Sequence, residues 1–516
     1  MAVKVHSAQV VGLKGQIIDV EIDLTGPALY NFTIVGLPDK AVEESKERIS
    51  AAIKNTGFLS PQKKNQRIIV SLAPADIKKE GPVFDFAIAM SYLAASKQLN
   101  FDPKEKIFLG ELGLNGTLRP IKGALVLTQE AQKAGFKELF LPKQNAKEAA
   151  LIKGIKIFGC ESLSEIAKHF RGEKSINPQP ATSLKISEGK ELSLVDFSDI
   201  KGQETAKRGL EIAAAGGHNV LMIGPPGTGK TMLAKAFSSI LPPLSFEEIL
   251  ETTSIHSVAG TLNESFITSR PFRNPHHTAS YIALVGGGAW PKPGEITLAH
   301  RGVLFLDEFP EFERRVIEAL RQPLEDGIIT ISRARSHIRF PARFILICAM
   351  NPCPCGNLGS KTKPCICSQH DILRYQRRIS GPIIDRIDLH LEVPQVDHEK
   401  LSDDRQIGES SKVIREHVIK AREIQKERFS AKGASSGEKE RILTNSEMGV
   451  RDLKQFAPLS ENVKNVLLQA AKRLDLSARV YHRIIKVART IADLEGSKNI
   501  QENHILEALQ YRPKSQ

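Results

Sequence analysis

Residues 224–231 read GPPGTGKT, and this segment constrains the fold of the 516-residue chain more than any other. It follows an apolar run at 219–223 (NVLMI) and precedes a helical pattern at 232–240 (MLAKAFSSI). A glycine-rich turn between a buried strand and a helix presents backbone N–H groups and a helix N-terminus to phosphates. The segment therefore predicts an α/β fold that binds ATP, with Lys230 at the β and γ oxygens and Thr231 on Mg²⁺.

The other predicted contacts of this loop with the nucleotide come from the residues between its first glycine and Lys230, which are Pro225, Pro226, Gly227, Thr228 and Gly229. A chance glycine-rich turn is the alternative, and the flanking strand and helix patterns argue against it.

Two further apolar runs end in polar residues that suit ATP hydrolysis. Residues 303–306 (VLFL) lead into Asp307 and Glu308, and residues 344–350 (FILICAM) lead into Asn351. Triphosphate hydrolysis depends mainly on positioning and electrostatic stabilisation. We therefore expect Asp307 to act on Mg²⁺, Glu308 to orient and deprotonate the attacking water, and Asn351 to bond the γ-phosphate or that water. A solvated acidic strand end and a turn-forming asparagine are the alternatives.

The pattern of apolar residues divides the chain into four parts. Residues 1–175 alternate strand and helix patterns, which predicts an α+β domain. Residues 176–192 are polar and contain proline, as a linker does. Residues 193–396 predict an α/β core with a largely parallel sheet, and residues 397–516 predict a helical lid.

Composition bears on partners and compartment. The net charge of +13 favours a polyanionic partner without requiring one. No uninterrupted apolar stretch reaches membrane-spanning length, and the first residues do not read as a signal peptide. We expect a cytoplasmic protein with no membrane partner.

Four of the six cysteines cluster just after Asn351, at Cys353, Cys355, Cys365 and Cys367. Four nearby thiolates satisfy tetrahedral Zn²⁺, so we predict a closed structural zinc site that stiffens this loop. The spacing is C-x-C rather than the commoner C-x₂-C. Reduced free cysteines are the main alternative, and a disulfide is the less favoured one in a reducing cytosol.

The nucleotide motifs together resemble AAA+ ATPases over residues 194–510. The resemblance implies that Ile200, Gly202 and Gln203 contact the adenine side of ATP. Insertions at 255–288 and 326–344 are similar to those of magnesium-chelatase-like and MCM-like members.

Four segments narrow the resemblance to the ComM (YifB) subfamily of magnesium-chelatase-like AAA+ ATPases, across nearly the whole chain: 270–280, 286–312, 378–394 and 477–496. The resemblance implies a homohexameric DNA motor. It would drive branch migration in homologous recombination, including the integration of transforming DNA, with recombination proteins among its expected partners.

The same resemblance implies that Arg386, in IIDRIDL, is an arginine finger that reaches the γ-phosphate of a neighbouring subunit. Its rivals are Arg377 and Arg378. A local ion pair of Arg386 with Asp385 or Asp388 is the alternative.

Arg479, in SARVYHR, corresponds to the second sensor arginine of the lid. The sequence leaves open whether it acts in its own subunit or across an interface. An ordinary solvent-facing helix arginine is the alternative.

Two insertions carry candidate DNA contacts. The first combines guanidinium, aromatic and imidazole groups, which grip phosphates and stack on bases, at Arg270, Phe272, Arg273, His276 and His277. The second has hairpin-like alternation with Arg333 and Arg335 near its turn. In a ring both would face the pore and bind single-stranded or branched DNA without sequence preference. Alternatively, the two histidines cap a helix or pack at a subunit interface.

Residues 70–140 resemble the peptidase domain of Lon-type proteases without its catalytic residues. The nucleophile segment reads GPVFD at 81–85, and the general-base lysine corresponds to Leu125. Without a hydroxyl and an amine no Ser-Lys acyl transfer is possible. We expect a catalytically inactive scaffold or a module that guides DNA.

Two other functions remain as alternatives. One is a magnesium-chelatase-type ATPase subunit, against which stand the Lon-like domain and the lack of an obvious DxSxS motif. The other is a nucleotide-switched DNA clamp or adaptor. Strong stimulation of ATP hydrolysis by DNA distinguishes a motor from both.

Overall fold

The computed structural model describes residues 3–26, 28–182, 195–288, 291–333, 336–360, 363–396, 408–431 and 442–513. The chain forms two compact units. The first contains Met1–Ile186 and Phe246–Ile267, and the second contains Ser187–Ser245 and Thr268–Gln516. Across the described ranges, every helix is too short or too polar to span a bilayer.

The strands are β1 (Val3–Val11), β2 (Lys14–Thr25), β3 (Asn31–Val35), β4 (Arg67–Ala73), β5 (Lys106–Phe108), β6 (Glu111–Leu112), β7 (Leu118–Arg119), β8 (Glu138–Pro142), β9 (Lys156–Cys160), β10 (Val220–Ile223), β11 (Phe272–Arg273), β12 (Gly286–Gly287), β13 (Lys292–Pro293), β14 (Val303–Leu306), β15 (Ile328–Arg333), β16 (Ser336–Pro341), β17 (Ile345–Met350) and β18 (Leu389–Glu392).

The α-helices are α1 (Lys40–Asn55), α2 (Asp85–Ala95), α3 (Ala124–Lys133), α4 (Lys143–Ala149), α5 (Leu163–Phe170), α6 (Glu204–Gly216), α7 (Lys230–Ile240), α8 (Phe246–Ala259), α9 (Tyr281–Val285), α10 (Glu295–Leu298), α11 (Arg314–Ala319), α12 (Arg321–Asp326), α13 (Gln369–Gln376), α14 (Gly381–Ile384), α15 (Ser411–Ala431), α16 (Val450–Phe456), α17 (Glu461–Arg473), α18 (Ala478–Leu494) and α19 (Glu502–Gln510).

The first unit is built on a mixed seven-stranded sheet in the order β3-β4-β2-β1-β5-β8-β9. β1 and β2 form a long antiparallel hairpin, from Val3 opposite Ile22 to Val11 opposite Lys14. α2 is apolar on all sides and buried along most of its length, as expected for a helix inside a core. α1 begins at Asp39, whose carboxylate caps the helix by accepting the Val42 N–H at 2.8 Å.

α8 packs with the first unit although it follows α7 of the second. The Ser257 hydroxyl accepts the Gly123 N–H at 2.9 Å and donates to the Glu148 carboxylate. Ile249 and Ile255 are buried. The sequence pattern predicts that this segment belongs to the α/β core at 193–396, whereas α8 packs with the first unit.

The start of the predicted linker is also bonded to the first unit. The Gln179 N–H donates to the Ile157 carbonyl at 2.7 Å, and the Thr182 N–H donates to the Ala150 carbonyl at 3.0 Å. Residues 183–192 of the predicted linker lie outside the described residues.

The second unit is built on a parallel five-stranded sheet in the order β11-β14-β17-β10-β18. Every residue of β14 and β17 is buried, because strands at the centre of a parallel sheet are covered on both faces. The predicted α/β core with a largely parallel sheet is therefore confirmed. β15 and β16 pair as a hairpin between α12 and β17.

The elements described after β18 are helical. α18 begins at Ser477, whose hydroxyl accepts the Val480 N–H at 3.3 Å. Its buried residues Val480, Ile484, Val487 and Ile491 recur at helical spacing and face the core of the second unit.

Candidate nucleotide-binding site

The strand order brings the three polar strand ends together. β17 lies between β14 and β10, so Asp307, Asn351 and the loop at 224–229 follow neighbouring parallel strands. In open parallel sheets ligands bind beyond the carboxyl ends of the strands. These residues lie at that edge.

Lys230 links the loop to Asn351. Its Nζ donates to the carbonyls of Gly224 and Pro225 at 2.7 and 2.8 Å and lies 3.3 Å from Asn351 Oδ1. Burial lowers the pKa of Lys230, and the Asp307 carboxylate acts against this shift. The amine of Lys230 lies at the N-terminus of α7, where phosphates bind well.

The loop approaches β18 closely, which restricts residue 224 to glycine. A Cβ on Gly224 would lie 2.1 Å from the Val393 carbonyl oxygen. Gly227 and Gly229 have φ of 76° and 88°, and the Thr228 hydroxyl donates to the Pro225 carbonyl at 2.9 Å.

Thr231 and Asp307 form a pair suited to Mg²⁺. The Thr231 hydroxyl donates to Asp307 Oδ2 at 2.8 Å. Mg²⁺ prefers oxygen ligands and in nucleotide sites uses one or two protein groups together with phosphates and water. The pair fits that donor set.

Glu308 has a left-handed backbone, with φ of 50°, which is uncommon for a residue with a side chain. Its N–H donates to Asp307 Oδ1 at 2.9 Å. Its carboxylate is 58% exposed and lies 3.0 Å from His277 Nδ1. Such backbone conformations cluster at functional sites, and this one directs an acidic side chain away from the strand.

The predicted adenine-side segment lies beside the end of β18. Gln203 Nε2 donates to the Pro394 carbonyl at 2.5 Å, and a Cβ on Gly202 would lie 3.3 Å from Val396. Ile200 is buried at 6% exposure. β18 pairs directly with β10, so this segment and the phosphate loop share one edge of the sheet.

Arg386 and Arg479 meet at a residue that the sequence analysis did not identify. Arg386 forms an ion pair with Glu325 Oε2, and Arg479 Nη2 lies 3.0 Å from Glu325 Oε1. Arg386 also donates to the Pro382 carbonyl at 2.7 Å. The partner of Arg386 is therefore neither Asp385 nor Asp388. The pair with Arg386 lowers the pKa of Glu325.

Arg386 lies at the sheet edge opposite the phosphate loop. The Asn219 side chain donates to the Arg386 carbonyl at 3.3 Å, and Asn219 immediately precedes β10. The loop follows the other end of β10. At about 3.3 Å per residue, a strand of this length separates the two edges by about 13 Å.

Arg378, one rival finger, lies near the edge of the sheet that holds the phosphate loop, opposite the edge where Arg386 lies. It forms an ion pair with Glu311 at 2.6 Å and donates to the Pro310 carbonyl at 3.3 Å. Both partners belong to the turn that follows Glu308 in its own chain. Arg377 is exposed next to it.

Three predicted DNA contacts instead have partners inside the second unit. Arg270 donates to the carbonyls of Pro242 and Arg301, each at 2.6 Å. Arg273 forms two bonds with Glu295, at 2.6 and 2.7 Å.

Phe272 stacks on Phe305 with ring centroids 6.1 Å apart. The sequence pattern did not separate these packing roles from DNA contact, because arginine and aromatic side chains serve both. We do not assign Arg270, Phe272 or Arg273 to DNA.

The remaining DNA candidates are less constrained. His276 is exposed and its Nδ1 lies 2.9 Å from the Thr278 hydroxyl, while His277 contacts Glu308. Arg333 ends β15 opposite Ser336. Arg335 lies outside the described residues.

The four clustered cysteines converge on one point. Their Sγ atoms all lie within 4.8 Å of one another. The Cys353–Cys355, Cys353–Cys365 and Cys355–Cys365 Sγ distances are 3.5, 3.6 and 3.6 Å. Tetrahedral Zn²⁺ with bonds of about 2.3 Å places its sulfurs about 3.8 Å apart. The Cys355 N–H also bonds Cys367 Sγ at 3.4 Å. The donor set fits zinc.

The cysteine loop also touches the phosphate loop. A Cβ on Gly356, which has φ of 78°, would lie 2.7 Å from Pro226 Cδ and 3.8 Å from Asn351. The cluster therefore supports two parts of the nucleotide site, whereas the sequence suggested only the segment after Asn351.

Sequence reasoning missed Glu325 and the contact between His277 and Glu308. No motif marks Glu325, and its partners lie far along the chain. The sequence therefore carried no signal that joins Glu325 to Arg386 and Arg479. His277 was noticed only as a possible DNA contact.

Family comparisons cover most of the chain. The family described as "Magnesium chelatase, subunit ChlI" matches residues 196–401, "Subunit ChlI of Mg-chelatase" matches 20–145, and "Magnesium chelatase, subunit ChlI C-terminal" matches 408–512.

Individual relatives extend the similarity. Competence protein ComM of Haemophilus influenzae is 45% identical over 98% of this chain and 97% of its own length. The protein YifB of Salmonella typhimurium is 43% identical over 98% and 96%. DNA repair protein RadA of Listeria monocytogenes is 34% identical over 19% of this chain and 21% of its own length. The chain belongs to the ComM/YifB family of magnesium-chelatase-like proteins.

Proposed function

We propose that this protein is a ring-forming ATPase that moves along DNA and drives branch migration in homologous recombination, including natural transformation. The observation that carries the proposal is the position of Arg386 at the sheet edge opposite its own phosphate loop. An arginine there is out of reach of its own nucleotide but suits a neighbour's in a head-to-tail ring. Full-length similarity to a competence protein supports the DNA substrate.

The proposed roles in hydrolysis follow from the contacts. Lys230 binds the β and γ oxygens, while Thr231 and Asp307 hold Mg²⁺, which when bound neutralises phosphate charge. Glu308 accepts a proton from the attacking water, and Asn351 orients it. His277, 3.0 Å from Glu308, holds that carboxylate in one orientation.

Arg479 is proposed to act on a neighbour's nucleotide together with Arg386. Glu325 contacts both guanidinium groups and so keeps them at the same edge. Two arginines that share one carboxylate in this way are also spaced to share one phosphate. A homohexamer is the expected assembly.

DNA contacts are proposed for His276 and His277 and for the β15–β16 hairpin with Arg333 and Arg335. Zn²⁺ is proposed at the cysteine cluster. The first unit is proposed to be an inactive Lon-peptidase relative. Val83 stands at the nucleophile position of the 81–85 segment, and Leu125 is fully buried in α3, so neither position offers a nucleophile or a base for acyl transfer.

The decisive experiment measures ATP turnover and the movement of a labelled three-stranded DNA junction, with and without DNA in the turnover assay. A motor shows DNA-stimulated hydrolysis and ATP-dependent junction movement. A nucleotide-switched clamp binds DNA without moving the junction. The three chelatase-family matches favour a chelatase-type subunit as the second candidate, and that function predicts turnover indifferent to DNA.

A further inference from the structure

A cleft of about 700 Å³ in the second unit is lined by more basic than acidic side chains. We call it the arginine groove, and its charged or titratable lining residues are Glu311, Arg314, His370, Arg374, Arg377 and Arg378. One wall is the turn after Glu308 with the start of α11. The other wall is α13 and the residues that follow it.

Protein carboxylates balance only part of this positive charge, because Glu311 lies beside Arg378 and Asp371 interacts electrostatically with His370 and Arg374. Arg378 pairs with Glu311 at 2.6 Å. Where the structure describes the chain, the side chains of Arg314, Arg374 and Arg377 make no hydrogen bond or ion pair, and all three are exposed. Like charges that face one cleft repel one another, so this arrangement favours a bound anion.

The lining chemistry indicates phosphate groups rather than bases. Guanidinium forks match phosphate oxygens in two-point contacts. The aromatic lining residue Phe312 is only 4% exposed, so the His370 imidazole is the ring that the groove residues offer to a base, against four guanidinium groups. Several arginines spread along an open cleft suit a chain of phosphates better than one small anion.

We propose that the arginine groove binds the phosphodiester backbone of DNA, as a contact surface additional to the two insertions. The proposal rests on the proposed DNA motor function and names a further surface for the same partner. The groove wall includes Pro310 and Glu311, in the short helical turn Phe309–Glu311 that directly follows Glu308. DNA in the groove therefore touches the turn that positions the catalytic carboxylate, which gives DNA a direct route to stimulate hydrolysis.

The test uses a double variant, Arg314→Gln with Arg374→Gln, which removes one positive charge from each wall of the groove. It is compared with a control variant that loses two positive charges elsewhere. Lys472 and Arg473 are exposed near the end of α17 and make no ion pair in the described residues. The control is therefore Lys472→Gln with Arg473→Gln. Affinity for a labelled single-stranded oligonucleotide is measured over a range of salt concentrations in the full-length protein.

The groove variant is expected to reduce the slope of log affinity against log salt by about 1.4, because each phosphate contact with a single strand contributes about 0.7. DNA-stimulated turnover should fall with it. The control should keep the wild-type slope. An oligonucleotide with uncharged methylphosphonate linkages should bind the wild type and the groove variant equally.

If the wild type binds DNA and the groove variant keeps the wild-type slope, the proposal that the groove binds DNA is wrong. The proposed DNA motor function is not affected by that result. A wild type that binds no DNA overturns the proposed function itself. A changed oligomeric state in sedimentation, with no change in slope, makes the groove a contact between subunits and also overturns the proposal. Arg314→Lys with Arg374→Lys keeps both charges and should restore the slope, which separates charge loss from a folding defect.

Discussion

Lys230 and Glu308 have separable tasks. Lys230 Nζ lies inside the phosphate loop, 2.7 Å from the Gly224 carbonyl, whereas Glu308 is exposed beyond Asp307. Lys230→Ala removes the cation of the phosphate site and is expected to abolish ATP binding. Glu308→Gln keeps that site and loses only the base, so ATP should still bind while turnover falls by about 10²–10⁴-fold.

Binding of a fluorescent ATP analogue and release of phosphate measure these two quantities separately. Glu313→Gln is the control, because Glu313 is exposed and its side chain caps no helix. It should match the wild type in both assays. Equal loss of ATP affinity in the Lys230 and Glu308 variants would contradict the division of roles.

Single residues also show where sequence prediction ends. Thr231 and Asp307 meet as expected, because their motifs follow adjacent strands of one sheet. The alternative for Arg386 was a local ion pair with Asp385 or Asp388, but its partner within the chain is Glu325, 61 residues away. A motif predicts where a residue lies on the backbone. The contacts of a long side chain depend on tertiary packing, which a local sequence pattern does not predict.

At the scale of elements, Asp388 holds α18 against the start of β18. It is 2% exposed and pairs with Arg483 of α18. Burial disfavours its charge, yet Arg483, His218 and the Asn219 N–H together lower the pKa of Asp388 far below 3.8. Asp388→Asn should lower the free energy of unfolding of the second unit by about 3–5 kcal/mol, the usual cost of removing one partner of a buried pair.

The lowered pKa fixes how this effect depends on pH. A carboxyl whose pKa falls on folding stabilises the native state above its unfolded value of about 3.9, and this contribution declines as the pH falls below that value. The difference between wild type and Asp388→Asn should therefore shrink in acid. Denaturant unfolding at neutral and acidic pH measures it. Glu461→Gln, in an exposed pair with Lys464, should cost under about 1 kcal/mol. If Asp388→Asn lowers the free energy of unfolding by no more than this, Asp388 does not hold α18 against β18.

The cysteine loop is a second element with a predicted task. Purified protein should contain about one Zn²⁺ per chain, because four thiolates complete a tetrahedral site. Cys365→Ser with Cys367→Ser should release the metal. Since Gly356 packs on Pro226 and Asn351 lies beside it, both ATP affinity and turnover should fall.

Elemental analysis of the purified protein measures the zinc content. Cys160→Ser, a buried cysteine of the first unit, is the control and should keep the metal. Carefully handled protein that holds no zinc, with all four thiols titrating freely, would make the cluster a cysteine-rich loop and refute the site.

At the scale of the whole molecule, the parallel sheet was predictable because its strands are short apolar runs that end in polar motifs. The sequence did not predict that α8 belongs to the first unit. Its apolar residues are only weakly one-sided, so the pattern of α8 does not show against which unit the helix packs. The contacts that decide the matter, among them Ser257 with Gly123 and Glu148, join residues more than 100 positions apart.

The proposed ring makes each nucleotide site a product of two subunits, one giving the phosphate loop and the next giving Arg386. Arg386→Ala should bind ATP almost normally but lose about 10³–10⁵-fold in turnover, as arginine fingers do. Lys230→Ala should also be inactive. Each variant is defective in a different half of the site, so a mixture can complement.

In a random equal mixture of these two variants, a working site needs a phosphate loop from the Arg386→Ala subunit and a finger from the Lys230→Ala subunit. About a quarter of head-to-tail interfaces meet this condition. If each site hydrolyses ATP independently, turnover should therefore rise from near zero toward about a quarter of the wild-type value. The recovery should be largest near equal proportions of the two variants. Phosphate release across a series of mixing ratios measures the recovery. If Arg386 acted within its own subunit, every site in every mixture would lack one component, and no ratio would restore activity.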